Sequence, residues 1–482
     1  MTSYDIVIVG SGPNGLAAAN SFVDSGLSTL VVEAHSTPGG GARTEELTRP
    51  GFAHDVCSTV HPLGLASPWF RALHLEEHGL SWIHSPSPLA HVLSDGRAVM
   101  LERSLDETCD QLGADASAYR RLLEPFVENY SALLPMILAP LRFPSDPALL
   151  ARFGLEALRS MRGLAKGWFD GTDAPALLAG ISAHGMVPLE RITTAAIALV
   201  LGAAGHAVGW PIARGGSQAI TAALVARFRA RGGDLITGER VASLDQLPRA
   251  RAYVLDVTPR QLIAIAGERL PARYRARLAK FRYGPGVFKI DWALRAPVPW
   301  RDPRCALAAT VHLGGTLENL AAGERAVHEG RIEPRPFVLF AQPTLFDPTR
   351  APPGQHIAWA YCHVPHGSPA DATAIIEGQI EAAAPGFRDL VLARATRNPA
   401  ELEEYNANYV GGDINGGLAD ARQLLFRPVA KRDPYATAVP DLFLCSSSTP
   451  PGGGVHGMCG YWAAASVLAN VFQREPPPLA PP

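Results

Sequence analysis

Residues 4–33 read YDIVIVGSGPNGLAAANSFVDSGLSTLVVE, and the order of features in this stretch decides the fold. Tyr4 to Val9 is a near-continuous apolar run of strand length, the pattern of a strand buried on both faces of a parallel sheet. Gly10-Ser11-Gly12-Pro13-Asn14-Gly15 follows at once, then a helical run that Gly26 closes, then a second strand ending at Glu33 and Ala34. Strand, G-x-G-x-x-G, helix, strand and acid in this order form the dinucleotide-binding fingerprint in its required context. Gly10 permits the tight turn, and Gly12 lets backbone N–H groups approach a pyrophosphate at the helix N-terminus. Gly15 lets helix and strand pack closely. Glu33 is placed to accept hydrogen bonds from a ribose. The fingerprint suits NAD and FAD alike.

Around this nucleus lie 482 residues, more than a single core usually supports, so two domains are expected. The net charge is −2 and the basic residues are scattered, which gives no footprint for nucleic acid. Cys57, Cys109, Cys305, Cys362, Cys445 and Cys459 show neither a CxxC pair nor ligand spacing, so no metal site is predicted and reduced thiols are expected. MTSYDIVIVG enters a strand directly, without the charged and apolar regions of a secretory signal, and a cytoplasmic protein is expected. The apolar stretch 193–211 carries several glycines and His206, and reads as a buried helix ending in a loop rather than a membrane span.

After Glu33 a nicotinamide-binding domain usually continues into another strand and helix. This chain runs instead EAHSTPGGGARTEELTRPGFAHDVCSTVHP, with a second glycine cluster. Here it resembles the FAD-binding flavoproteins of the glutathione-reductase type, and among them the amine-oxidase and phytoene-desaturase superfamily, whose first motif is followed by a GG-R-x-x-T type segment. The matching residues are Gly40, Gly41, Arg43 and Thr44, with Ala42 between the glycine pair and the arginine. Glycines allow close backbone approach, and an arginine can pair with phosphate oxygens. Two further segments extend the resemblance. ARGGSQAITAALVARFRARGG, with Ser217 as the expected helix cap, leads into short strands, and the resemblance implies a contact from Val241 to the adenine side. DLFLCSSSTPPGGGVHGMCGYWAAASVL passes from a strand through Gly452, Gly453 and Gly454 into a helix whose N-terminus, by the resemblance, faces the flavin. Val455 and His456 belong to that loop, and Ser446 to Ser448 stand where relatives carry an acid or glycine. Phrases such as GGGARTEELT, HPLG and PGGGV place the likeness in the phytoene-desaturase-like branch.

The resemblance implies an α/β protein: a discontinuous Rossmann-type FAD-binding domain (residues 1–66, 211–286 and 434–474), a mixed α+β substrate domain (67–210 and 287–433) and a disordered tail (475–482). It implies non-covalent FAD, since the pattern around Cys459 differs from that of covalently flavinylated amine oxidases. The expected activity is that of an oxidoreductase, a desaturase, dehydrogenase or isomerase, acting on a hydrophobic isoprenoid or polyene-like small molecule. An amine oxidase and a non-catalytic FAD-binding scaffold remain alternatives. His456 and His61 are candidate acid–base residues, because histidine titrates near neutrality. Lys289, in the predicted strand GVFKIDWAL, is a third candidate, because amine oxidases of the superfamily hold a water with a lysine. The reading set against it is a Lys289–Asp291 pair on a wet sheet face. HIAWAYCHV is a second predicted strand, with Trp359 and Tyr361 able to line a cavity. Residues 148–169 have helical period, with Leu150, Leu158, Met161, Leu164 and Trp168 on one face and Arg152, Arg159, Arg162 and Lys166 on another. A helix of this kind is a candidate for peripheral membrane contact.

Overall fold

The computed structural model describes residues 3–481. Strand Tyr4–Val9 lies at the centre of a five-stranded, wholly parallel sheet in the order 442–444, 250–255, 4–9, 29–32, 234–236. Parallel neighbours need crossovers, and here the crossovers carry much of the chain, so the sheet draws on stretches hundreds of residues apart. Helix Pro13–Asp24 covers one face together with Met458–Val467. These two helices cross so closely that a Cβ on Gly460 would lie 1.9 Å from the Asn14 carbonyl oxygen.

The second layer is a seven-stranded mixed sheet in the order 391–397, 286–294, 356–364, 338–341, 308–313, 87–92, 98–101. Alternation divides its faces. Phe288, Ile290, Trp292, Phe340 and Cys362 pack outward against helix Thr373–Ala383. Leu339, Trp359 and Tyr361 face inward, toward the large core that holds the helices Ala116–Glu128, Asp173–Ser182 and Thr194–Ala207. The last of these is the buried helix expected in 193–211. Among the described residues no helix is long and apolar enough to cross a membrane.

Three expectations change. Residues 148–169 form two helices, Pro147–Ala157 and Met161–Trp168, because the Ser160 side chain accepts a hydrogen bond from Gly163 N and starts the second one. The buried stripe of the first helix is Leu149, Phe153 and Ala157, which leaves Leu158 exposed. Helix Gln218–Ala230 is not capped by Ser217; Thr44 Oγ1 accepts Gln218 N at 3.1 Å and Asp55 accepts Ser217 N at 2.8 Å instead. The tail is docked over 475–481: the Tyr461 hydroxyl donates to Pro477 O at 2.8 Å and Ala480 N to Pro68 O at 3.1 Å. Pro482 lies outside the described residues.

Candidate functional site

A cavity of about 810 Å³ connects the two layers. Its outer end lies at the exposed Glu239 and Arg240 beside Val241, and it passes Gly10 to Asn14, Glu33, Ala34 and the loop Gly453 to His456. Beyond, it continues as an arm with an apolar roof, Ile137, Leu138, Phe153, Ile197, Val200 and Leu201. The floor of the arm is the inward face of the second sheet, Thr310, Leu339, Trp359 and Tyr361. The elongated shape suits two molecules placed end to end, a cofactor and a substrate.

The first end fits an anionic dinucleotide. Gly10 has φ +99°, and the cradle is closed to side chains: a Cβ on Gly12 would lie 2.7 Å from Asp256 Oδ2 and one on Gly15 2.2 Å from Gly10 O. Helix Pro13–Asp24 begins at Gly12 without a side-chain cap, and helix Met458–Val467 begins likewise at Gly457. Asp256 takes up Gly15 N and His456 Nδ1 takes up Met458 N, so what each N-terminus offers an anion is its partial positive charge and the remaining N–H groups of its first turn. Gly15 itself lies beneath the turn and does not line the cavity.

Glu33 is already saturated. Its carboxylate accepts from Ser11 N (2.8 Å), Ser11 Oγ (2.6 Å), His35 N (2.8 Å) and Arg43 Nη2 (3.1 Å). A ribose hydroxyl would replace one of these, and the rotatable Ser11 hydroxyl is the one free to leave. Arg43 lines the cavity beside Gly40 and Gly41, and its guanidinium is engaged within the protein. Its guanidinium holds Glu33, Thr37 O, Gly40 O and the Tyr405 hydroxyl, so it fastens the second glycine loop to the first strand pair. Gly40 and Gly41 line the cavity, whereas Thr44 lies behind it, bonded to Asp55 at 2.7 Å. Thr44 is a support rather than a cofactor ligand.

Of the three acid–base candidates, His456 and His61 line the cavity and Lys289 does not. His456 Nδ1 accepts Met458 N at 3.0 Å, which puts its proton on Nε2, a buried atom with no partner. Burial lowers its pKa to about 4, so it presents an N–H donor rather than a base. His61 Nε2 lies 2.8 Å from Ser217 Oγ, whose own proton goes to Ser58 O at 2.5 Å; His61 is therefore the donor there. Burial lowers its pKa also to about 4. Lys289 Nζ is held 2.5 Å from both oxygens of Asp291 and lies over the Trp359 ring at 5.3 Å from its centroid. Neither the catalytic role nor the wet sheet face describes it. All nine residues of strand Gly286–Leu294 are buried because neighbouring strands flank it on both edges, helix Thr373–Ala383 covers one face, and Phe52 and His54 lie on the other. Lys289 and Asp291 join His54, Asp55 and Arg350 in a buried charged cluster behind the cavity wall; Arg350 Nη2 is 3.1 Å from Asp55. The Ser446 and Ser448 hydroxyls are spent on Val257 O and Gly416 O, and Cys459 Sγ lies near Thr449 O and Gly452 O, off the wall.

Several wall residues escaped the sequence reading. Asp256, at the end of strand Ala250–Leu255, accepts Gly15 N at 3.0 Å; burial, then the charge of Glu33, raises its pKa to about 7. Arg427 is a buried cation that donates to Ser447 O and Gly417 O beside the last glycine loop. Tyr405, Asn408, Tyr409, His184 and Trp210 also contribute. Only the acid directly after the AYVL strand had a local signal, its place at the C-terminal end of a parallel strand.

Comparisons agree with this geometry. Residues 8–75 match the family described as NAD(P)-binding Rossmann-like domain. The chain is 28% identical to pyridine nucleotide-disulfide oxidoreductase domain-containing protein 2 of Rattus norvegicus, covering 97% of this chain and 94% of that one. It is 25% identical to a lycopene-forming phytoene desaturase of Paracoccus sp., covering 97% of each. Among solved structures, an oxidoreductase from Methanosarcina mazei superposes with TM-score 0.63 at 16% identity (97% and 100% covered). Putrescine oxidase superposes with TM-score 0.61 at 18% identity (97% and 99% covered). The resemblance to phytoene-desaturase-like oxidoreductases of the amine-oxidase superfamily and the α/β fold class are borne out. The chain is an oxidoreductase with a flavin or nucleotide cofactor.

Proposed function

We propose that the protein is an FAD-dependent oxidoreductase that dehydrogenates an apolar, isoprenoid- or polyene-like molecule. The observation that carries this is the continuity of the cavity from the glycine turn to the apolar arm. Gly10 to Asn14 and the N-terminus of helix Pro13–Asp24 would hold the pyrophosphate, Glu33 the ribose, Val241 the adenine side, and Gly453 to His456 the ring system, bound non-covalently. FAD, when bound, supplies a two-electron acceptor that takes hydride at N5. The chain's own part is to orient the substrate between roof and floor, to exclude water and to surround the ring's far edge with positive potential. Arg427 and the N-terminus of Met458–Val467 both lie at that loop. The Lys289–Asp291 pair, buried behind the wall and closed on itself, counts against an amine-oxidase reading that relies on a lysine-held water.

Peripheral membrane contact is part of the same proposal. Leu141, Phe143, Leu155 and Leu158 are exposed, Phe143 by 89%, within a few residues of the wall residues Leu138 and Phe153. Arg142, Arg152 and Arg162 are interspersed among them and exposed. An exposed apolar patch with basic neighbours, a few residues along the chain from the roof of the apolar arm, suits withdrawal of substrate from an anionic bilayer. Acid precipitation of the purified protein should release FAD, detected by chromatography, and anaerobic addition of polyenes should bleach its visible bands. A colourless protein that FAD cannot reconstitute would leave only the scaffold reading.

A further inference from the structure

The geometry points to an alcohol as ligand of the apolar arm: an elongated apolar molecule carrying a hydroxyl, whose hydrogen bond His184 Nδ1 accepts, with the Tyr361 hydroxyl as a second polar contact. This names a substrate class for the site just described and rests on that reading.

The inference starts from three histidines whose protons can be assigned in sequence. His91 and His312 are register partners on neighbouring strands, and His184 follows helix Asp173–Ser182. Burial holds all three below their usual pKa, His91 at about 4, His184 at about 3 and His312 well below the ordinary histidine value, so each ring is neutral with one donor and one acceptor nitrogen. His91 Nε2 lies 2.7 Å from Gly315 O; a carbonyl only accepts, so the proton is on Nε2 and Nδ1 is bare. His91 Nδ1 and His312 Nδ1 both face the notch left by Gly180, where a Cβ would lie 2.5 Å and 2.9 Å from them. Neither has another partner. Two bare lone pairs turned to one spot repel, so His312 carries its proton on Nδ1 and its Nε2 is bare. His312 Nε2 is 3.0 Å from His184 Nε2, which must then donate. The series ends with His184 Nδ1 unprotonated, on the one ring of the three that lines the cavity.

A second, independent atom points the same way. Tyr361 is buried on the floor of the arm, stacked between Trp359 and His363, and burial pushes its phenol up with no hydrogen bond from the protein contributing. Its hydroxyl makes no hydrogen bond within the protein, so an oxygen of a ligand in the cavity can pair with it. The remaining walls are apolar apart from the Thr310 hydroxyl and the unpartnered indole N–H of Trp359. The carboxylates that line the cavity, Glu33, Glu239, Asp256 and Glu404, belong to the segments of the first end and not to the floor or roof of the arm, so an ammonium meets no counter-charge there. Among the described residues no group of three or more His, Cys, Asp or Glu side chains is placed to hold a metal ion, so the histidines are not a metal site.

The test is calorimetric titration of the full chain, cofactor content recorded, with C10 to C20 isoprenoid alcohols, their methyl ethers and the matching primary amines. The ether keeps the oxygen and removes the donor. Alcohols should bind about tenfold tighter than ethers, and His184→Phe should erase the preference without changing cofactor content. Tyr361→Phe removes a single oxygen and is safe for folding; it should weaken the alcohol by about threefold. Equal affinity of alcohol and ether for the wild type, a preference that survives His184→Phe, an amine that outcompetes the alcohol, or no effect of Tyr361→Phe would overturn the proposal. Calorimetry needs no flavin colour, so selective alcohol binding by a protein that releases no FAD would sink the redox reading alone.

Discussion

The two ends of the cavity are built by opposite means. At the glycine turn the wall is backbone, and side chains are excluded by contacts such as the 2.2 Å that a Cβ on Gly15 would make with Gly10 O. On the floor of the arm the wall is side chains, arranged by strand alternation and backed by the buried Lys289–Asp291 pair. The first end is thus specified by what is missing, the second by what is present and paired.

That contrast can be broken by variants that act on one end. Gly15→Val should have the largest effect, because the obstructing atom is backbone and cannot swing aside: loss of bound cofactor and about 3 kcal/mol or more of stability, read by visible spectrum and thermal melting. Lys289→Met leaves Asp291 buried and uncompensated, and should cost about 3–5 kcal/mol in denaturant unfolding. Lys289→Met/Asp291→Leu should recover most of it. A fully stable but inactive Lys289→Met would return this lysine to the list of catalytic candidates.

A third variant sharpens the polar end. An unfolded aspartate titrates near 3.9, whereas Asp256 is held at about 7, chiefly by burial. Between about pH 4 and 7 the folded state therefore keeps a proton that the unfolded chain has released. Its contribution to stability falls as pH rises through that window and levels off above it. Asp256→Asn should flatten this part of the melting-temperature profile measured from pH 4.5 to 8. The smallest effect is expected outside both ends: Phe143→Asp should reduce co-sedimentation with anionic liposomes while cofactor content and melting stay the same.

The polar end was legible in sequence because its parts follow one another along the chain. Gly10 to Asn14, Glu33, Ala34, Gly40, Gly41, Val241 and Gly453 to His456 all line the cavity. What eluded sequence was pairing across distance. Nothing near Arg43 announces Tyr405, and nothing near Lys289 announces His54, so a guanidinium expected on phosphate and an ammonium expected near flavin are both found engaged within the protein. His184, Arg427 and Tyr409 reach the wall from segments without a motif. The apolar stripe in 148–169 misled because period alone does not register a competing N-cap at Ser160.

The strand order of the parallel sheet also sets a timetable for biosynthesis. Its central strand, Tyr4–Val9, and the neighbour Thr29–Val32 are translated before the rest of the sheet, whereas the edge strand 234–236 and the second neighbour 250–255 follow after the intervening residues 33–233, the opposite edge comes only at Leu442–Leu444, and helix Met458–Val467 is later still. The seven strands of the other sheet are all synthesised by residue 397. On the ribosome the nascent chain can therefore form its arm-side sheet while the nucleotide cradle lacks an edge and a helix. Cofactor capture then follows the assembly of the arm-side sheet, and the waiting apolar strand Tyr4–Val9 is the segment most in need of chaperone cover.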